Sequence, residues 1–421
     1  MPPQDAVPFK IAVPDGKIQL LRQKLDLVNF PDELDDSGLK YGAPLADIRR
    51  LVARWKEGYD WRTHEAALNA ELPQFTLDIP VEGFGTLNIH FVHQRSKVGG
   101  AIPLLFVHGW PGSFIEVQKL LPLLTEPSSA EHPSFHVVAL SLPGYGFSQA
   151  PTKQGFASAQ YAEVGHKLML ALGYDAYVMQ GGDWGARITR VIAVKYGGTH
   201  AKAWHTNLPL GAKPPISRPL LWLKDRLMPL TAVEKEGMQR SKVFDATGRG
   251  YFQEQATQPQ TIGYSLADSP VGLLAWIYEK LVNWTDGYPW GDDEVLTWVS
   301  IYLFSRAGPT ASVRIYYETR QEDAANAPKS KPSSFASPKM PIPKIKPSTI
   351  PMGASYFAKE IRRTPKTWTQ AIGNLKFVSE HAHGGHFAAH EKPSELADDL
   401  RKFFGRGGAA AGVVPGKSGY N

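Results

Sequence analysis

The chain of 421 residues contains no cysteine. That absence excludes disulfide frameworks, thiolate metal sites and cysteine nucleophiles, and it fits a reducing compartment. Long apolar runs are missing too. No stretch approaches the ~18 to 20 apolar residues of a spanning helix, and Met1–Lys17 is interrupted by prolines and charges where a signal peptide would need an apolar centre. The expectation is a soluble, cytoplasmic protein without a membrane anchor. Acidic residues are absent from Ala327–Gly353, which carries Lys329, Lys331, Lys339, Lys344 and Lys346 and so supplies most of the formal charge of +6. These lysines are interleaved with prolines rather than with stacking aromatics. They read as a solvated loop, and nucleic acid is not an expected partner.

At 43% apolar composition the chain can bury one large α/β domain with additions. Residues 1–85 form an expected helical N-terminal extension. Within it Ile18, Leu21, Leu25 and Val28 follow a three-and-four spacing that ends before Pro31, and Leu45, Ile48, Leu51, Val52 and Trp55 form a second apolar face behind Pro44. Phe75–Pro80 and Leu87–His93, separated by Gly83-Phe84-Gly85, read as a hairpin. Short apolar strands then alternate with helical stretches. The strands are Leu104–Val107, Phe135–Leu142 and Tyr177–Gln180; the helices are Ile115–Leu124 and Ala159–Leu172. Such alternation predicts an α/β fold with a mostly parallel sheet and helices on both faces. The core is placed at 86–209 and 347–405. Residues 210–326, rich in helix formers and aromatics, read as an inserted helical cap. Residues 327–346 are a Pro/Lys-rich connection, with Pro328, Pro332, Pro338, Pro341 and Pro343, and 406–421 a flexible Gly/Ala-rich tail. Two last strands, Ile350–Ser355 and Leu375–Ser379, precede a final helix, Ser394–Phe404.

The chemistry starts at Gly181-Gly182-Asp183-Trp184-Gly185, between the strand Ala176–Gln180 and the helix Arg187–Tyr196. Small residues flanking a strand-to-helix turn make a nucleophile elbow, and here an acid stands where a serine is usual. A carboxylate attacks saturated carbon and leaves an ester whose carbonyl belongs to the enzyme, so the substrate is an alkylating electrophile. That ester must then be hydrolysed. His108-Gly109-Trp110-Pro111-Gly112 follows a strand where a backbone N–H can face an oxyanion, which gives Trp110, and the residue after the nucleophile gives the second donor, Trp184. Among thirteen histidines, His386 in Gly384-Gly385-His386-Phe387 lies in the loop after the last strand and is the expected base. Glu360 follows the penultimate strand and is the acid expected to orient it. Glu322 and Asp323 lie in the same interval but at the end of the cap. His381, His383 and His390 have spacings that invite zinc. The Gly-Gly turn breaks any common face, however, and no cysteine or carboxylate completes a tetrahedral set, so no metal is expected.

From about Pro8 to Phe404 the chain resembles the microsomal-type epoxide hydrolases of the α/β-hydrolase superfamily. The match rests on the Asp elbow, His-Gly-Trp-Pro, Gly-Gly-His-Phe-Ala-Ala and the helical extension. The resemblance implies two cap tyrosines that polarise an epoxide oxygen. Gly250-Tyr251-Phe252 ahead of Asp268-Ser269-Pro270 matches the first, giving Tyr251, and Arg314-Ile315-Tyr316 matches the second, giving Tyr316 with Tyr317 adjacent. It further implies a small apolar epoxide and water as partners, no cofactor, and a vicinal diol as product, and it leaves a homodimer open. The absence of an anchor aligns the chain with the soluble fungal and bacterial members. Trp276, Trp284, Trp290 and Trp298 suggest an apolar, aryl-bearing substrate. Two rivals remain at this stage. A haloalkane dehalogenase would also use an Asp followed by Trp but has no need of paired tyrosine acids. A non-catalytic apolar binder would gain nothing from three buried ionisable groups.

Overall fold

Ile102–Val107 is buried at every position and Phe135–Leu140 at nearly every one, as strands must be when helices cover both faces of a sheet. The computed structural model describes residues 5–126, 128–326 and 345–421. Its sheet contains β1 (Val7–Pro8), β2 (Gln74–Val81), β3 (Gly85–Gln94), β4 (Ile102–Val107), β5 (Phe135–Leu140), β6 (Tyr177–Gly181), β7 (Ala201–Thr206), β8 (Pro351–Phe357) and β9 (Asn374–His381), in the order β1-β2-β3-β5-β4-β6-β7-β8-β9. The strands from β5 to β9 run parallel, while β1, β2, β3 and β5 pair antiparallel. This is the α/β-hydrolase arrangement. In such a sheet the chain segments leaving the carboxyl ends of the parallel strands meet over one edge, where open α/β sheets place their ligands.

Between β7 and β8 the described residues form helices and loops only, from Pro219–Leu227 through Arg314–Ala325. The N-terminal helices Asp15–Asp26, Leu45–Lys56 and Trp61–Glu71 find their packing partner there. Arg54 grips Asp293 through two hydrogen bonds of 2.8 Å, Arg50 pairs with Asp292, and the Tyr278 hydroxyl donates to Asp47 at 3.0 Å. The extension is thus a buttress for the helical excursion, and it also contributes β1 and β2 to the sheet.

Several elements differ from the sequence reading. Ala201–Thr206 is a strand that its mixed composition, Ala-Lys-Ala-Trp-His-Thr, conceals. Ile115–Leu124 is no continuous helix: a 3₁₀ turn, Phe114–Val117, is followed by the one-turn helix Leu121–Thr125, which opens next to Pro122. The connection 327–346 falls outside the described residues except for Ile345 and Lys346, and with it lie Lys329, Lys331, Lys339 and Lys344.

The tail at 406–421, expected from its composition to be flexible, is packed against the core. Ala410, Val414 and Tyr420 are buried; Ser134 N–H donates to Gly419 O and Gly419 N–H to Gly100 O, each at 2.7 Å; and the Tyr420 hydroxyl donates to Glu131 O at 3.1 Å. Its glycines let the backbone lie close to the core, and three apolar side chains pin it, which composition alone does not reveal. Removing residues 406–421 should therefore lower the melting temperature by roughly 3–6 °C, since burial of a few apolar side chains is lost. Activity well below that temperature should change less than twofold; a melting curve and a steady-state assay on the truncated chain check both.

Candidate active site

β6 ends at Gly181, and the helix Asp183–Lys195 begins two residues later. Asp183 has φ = 47°, a left-handed conformation that costs a non-glycine residue about 1–3 kcal/mol and survives only where packing enforces it. Here a Cβ on Gly185 would strike the carbonyl of Val107, and one on Gly109 would strike the Asp183 carboxylate. Strand β4, the loop after it and the elbow therefore close on one another with glycine at the contacts. Trp110 N–H donates to Asp183 Oδ1 at 2.8 Å. Trp184 is the second residue of the helix, and its N–H is among those a helix leaves without an internal partner.

Glu360 leaves β8 and His386 leaves β9, and the two meet in a buried pair: His386 Nδ1 lies 2.6 Å from Glu360 Oε1, which also accepts from Ile361 N–H at 2.8 Å. The backbone N–H of His386 donates to Trp284 O at 2.8 Å, fixing the ring's base. On the other side, His386 Nε2 stands 3.2 Å from Asp183 Oδ2, close enough for charge attraction but not aligned as a hydrogen bond. Burial disfavours the imidazolium. The carboxylates of Glu360 and Asp183 outweigh it and raise the His386 pKa well above 6.5.

Across the cavity from the sheet, Tyr251 and Tyr316 are buried while Tyr317 is 36% exposed. Tyr251 stacks on Trp110 at 5.3 Å between centroids, Tyr316 meets Trp184 edge-on at 4.9 Å, and the two tyrosine rings are 5.9 Å apart. Burial raises both phenol pKa values, and the Asp183 charge adds to it, so both hydroxyls stay protonated donors. Asp183 and these tyrosines line one cavity of about 250 Å³. Its apolar walls come from Phe244, Phe252, Trp204 and Trp368. The tryptophans singled out in the sequence do other work: Trp298 donates to Pro111 O, Trp276 donates to Gln255, Trp290 stacks on His390, and Trp284 carries His386.

Comparison with known proteins gives the same direction throughout. The family described as epoxide hydrolase N terminus matches residues 6–117, and the alpha/beta hydrolase fold matches 102–265. A putative epoxide hydrolase of Stigmatella aurantiaca is 39% identical over 406 residues, covering 94% of this chain and 84% of its own. Epoxide hydrolase 1 of Sus scrofa is 35% identical over 425 residues, covering 94% and 88%. The chain belongs to the microsomal-type epoxide hydrolases. Among solved structures, Aspergillus niger epoxide hydrolase superposes with a TM-score of 0.79 at 35% identity, covering 94% of this chain and 95% of that one. Juvenile hormone epoxide hydrolase from the silkworm Bombyx mori superposes with a TM-score of 0.82 at 29% identity, covering 94% and 93%. No helix among the described residues is long and apolar enough to cross a membrane.

The remaining candidates in this epoxide hydrolase have other partners. Glu322 and Asp323 hold Arg187 at 3.1 and 2.7 Å. His381 pairs with Asp399 at 2.6 Å, His390 with Glu294 at 2.8 Å, and His383 lies 3.5 Å from Asp286.

Sequence reasoning missed Glu116. It sits in the 3₁₀ turn after the His-Gly-Trp-Pro-Gly loop, buried so tightly that a Cβ on Gly112 would strike its carboxyl oxygen. Burial, with Asp183 adding and His386 subtracting, pushes its pKa from 4.5 up to about 8. An acid within a turn reads as solvated surface, and only the fold turns it inward.

The linkage has a definite sign. A carboxyl whose pKa is raised on folding stabilises most below its unfolded value, and that contribution is lost as pH rises through the folded value. Glu116→Gln, which cannot ionise, should gain melting temperature over the parent enzyme progressively between about pH 5 and about pH 8. Thermal melts of both proteins across that range test this, and parallel curves would rule it out.

Proposed function

We propose that the epoxide is opened through a covalent ester on Asp183. The observation that carries this reading is the arrangement of one carboxylate, Asp183, with His386 behind it and two buried tyrosines in front, in one cavity. A carboxylate Oδ of Asp183 attacks a ring carbon, and the C–O bond of the ring breaks. The departing oxygen takes a proton from Tyr251 or Tyr316, general acid help typically worth about 10²–10⁴-fold.

Esterification removes the negative charge of Asp183. One of the two carboxylates that raise the His386 pKa is then gone, and the imidazolium can give up its proton to the phenolate. The neutral ring, still oriented by Glu360, takes a proton from water, and the hydroxide adds to the Asp183 carbonyl carbon. Trp110 and Trp184 N–H groups face the oxygen that becomes negative, where each such donor contributes about 2.7–4 kcal/mol. Collapse expels the diol alkoxide, which takes the proton of the newly formed acid. Asp183 returns as a carboxylate and His386 as an imidazolium. No metal or organic cofactor enters this scheme, and paired phenols suit an epoxide oxygen rather than a halide. A cytoplasmic setting belongs to the same reading, supported by the absence of cysteine.

A single turnover in ¹⁸O water should leave the first diol unlabelled and put the label into Asp183, read by mass spectrometry of the peptide; label in that first diol would refute the ester route. His386→Gln should accumulate the ester, visible as a mass increase equal to the epoxide. Tyr251→Phe combined with Tyr316→Phe should slow ester formation by at least about 10²-fold in rapid-mixing experiments. Normal turnover by either protein would sink its assignment.

A further inference from the structure

The cavity lining is strongly cationic. Arg187, Arg190, Arg249, Arg320 and Arg362 belong to it, against Asp323 as the one carboxylate besides Asp183. Arg187 is satisfied by Glu322 and Asp323. The others are not matched in this way. Arg190 and Arg249 are more than nine-tenths buried. Arg190 donates to the carbonyl of Ile345 at 2.7 Å, while its Nε has no partner among the described residues. Arg249 Nη2 is likewise buried and unpartnered, and Arg249 and Arg362 share a single carboxylate, Asp245, at 3.7 and 3.4 Å. Arg320 makes no ion pair among the described residues. A buried guanidinium without a counterion is costly, and an anion forming charge-assisted hydrogen bonds with it recovers that cost.

The distances suit a ligand that also reaches the nucleophile. Arg190 lies seven residues after Asp183 on the same helix, so at 1.5 Å per residue the two stand about 10 Å apart along its axis. Phe244, Phe252, Trp204 and Trp368 supply apolar lining in the same cavity. We propose that the cavity is built for epoxides carrying a carboxylate about 10 Å from the ring, the anion being held by Arg190. The proposal rests on the reading of Asp183 as the attacking group, since it measures the ligand from there.

A matched pair of substrates tests it. In 9,10-epoxydecanoate the ring and the carboxylate occupy opposite ends of one chain, and 1,2-epoxydecane has the same length without the charge. The intact enzyme should show kcat/KM higher by about tenfold or more for the acid. Equal values, or a preference for the uncharged epoxide, would overturn the proposal. Arg190→Met should bring the ratio towards one, and an unchanged ratio would also overturn it. Because this substitution could disturb folding, calorimetry on the unaltered enzyme gives an independent reading: decanoate should bind about tenfold more tightly than decanamide, and equal affinities overturn the anion site. Failure of the underlying Asp183 chemistry looks different. The first diol of a single turnover in ¹⁸O water would then carry the label, while the preference for decanoate over decanamide would persist.

Discussion

The imidazole of His386 lies between two carboxylates, and in the proposed cycle only Glu360 keeps its charge throughout. Every other requirement of the site follows from holding that ring where a change at Asp183 is felt as a change in proton affinity. Burial makes the effect large, because charges in a low-dielectric setting interact strongly. It also makes the pair Glu360–His386 indispensable, since either charge alone would be stranded. In that proposed cycle the ring serves as a base only after Asp183 has been consumed, so the order of the two half-reactions lies in the electrostatics rather than in a conformational switch.

The sheet supplies the precision that this demands. Four segments leave the carboxyl ends of β4, β6, β8 and β9 and bring Trp110, Asp183, Glu360 and His386 to one edge. Glycine stands at the closest approaches, Gly109 against the Asp183 side chain and Gly185 against the Val107 carbonyl, and Asp183 itself holds a left-handed backbone. The tyrosines come from a separate layer, on the helices Gly250–Thr257 and Arg314–Ala325. That layer is braced from outside by the ion pairs of the N-terminal helices with Asp292 and Asp293.

Legibility in the sequence tracks how local the signal is. The elbow, the histidine loop and the acid after the penultimate strand each sit at a fixed address relative to a strand, so Asp183, His386 and Glu360 can be named from pattern, as can the alternating core. Tyr251 and Tyr316 have no such address and are reached only through family resemblance. Glu116 and the arginines of the cavity wall are invisible for a different reason. They are scattered over the chain and look like ordinary solvated charges until the fold turns them inward. The cap tryptophans mislead in the opposite sense: aromatic content announces burial but not whether the ring faces a ligand or, as with Trp298, a backbone carbonyl. The packing of the tail is hidden because low complexity is a statement about composition, whereas its contacts with the core rest on three buried side chains.

Two hydrogen bonds cross between the layers at a telling place. The Trp298 indole donates to Pro111 O and the Tyr302 hydroxyl to Gly112 O, each at 2.5 Å, so the loop that offers Trp110 N–H to Asp183 is tethered to the helix Asp292–Leu303. The peptide planes around Trp110 are therefore aimed from both sides of the cavity. A core grafted onto a different lid would keep Asp183, His386 and Glu360 and still lose the alignment of the Trp110 N–H. The unit that evolution or a designer can exchange in this fold is consequently larger than the lid: it includes the loop after β4 and the helix that holds it.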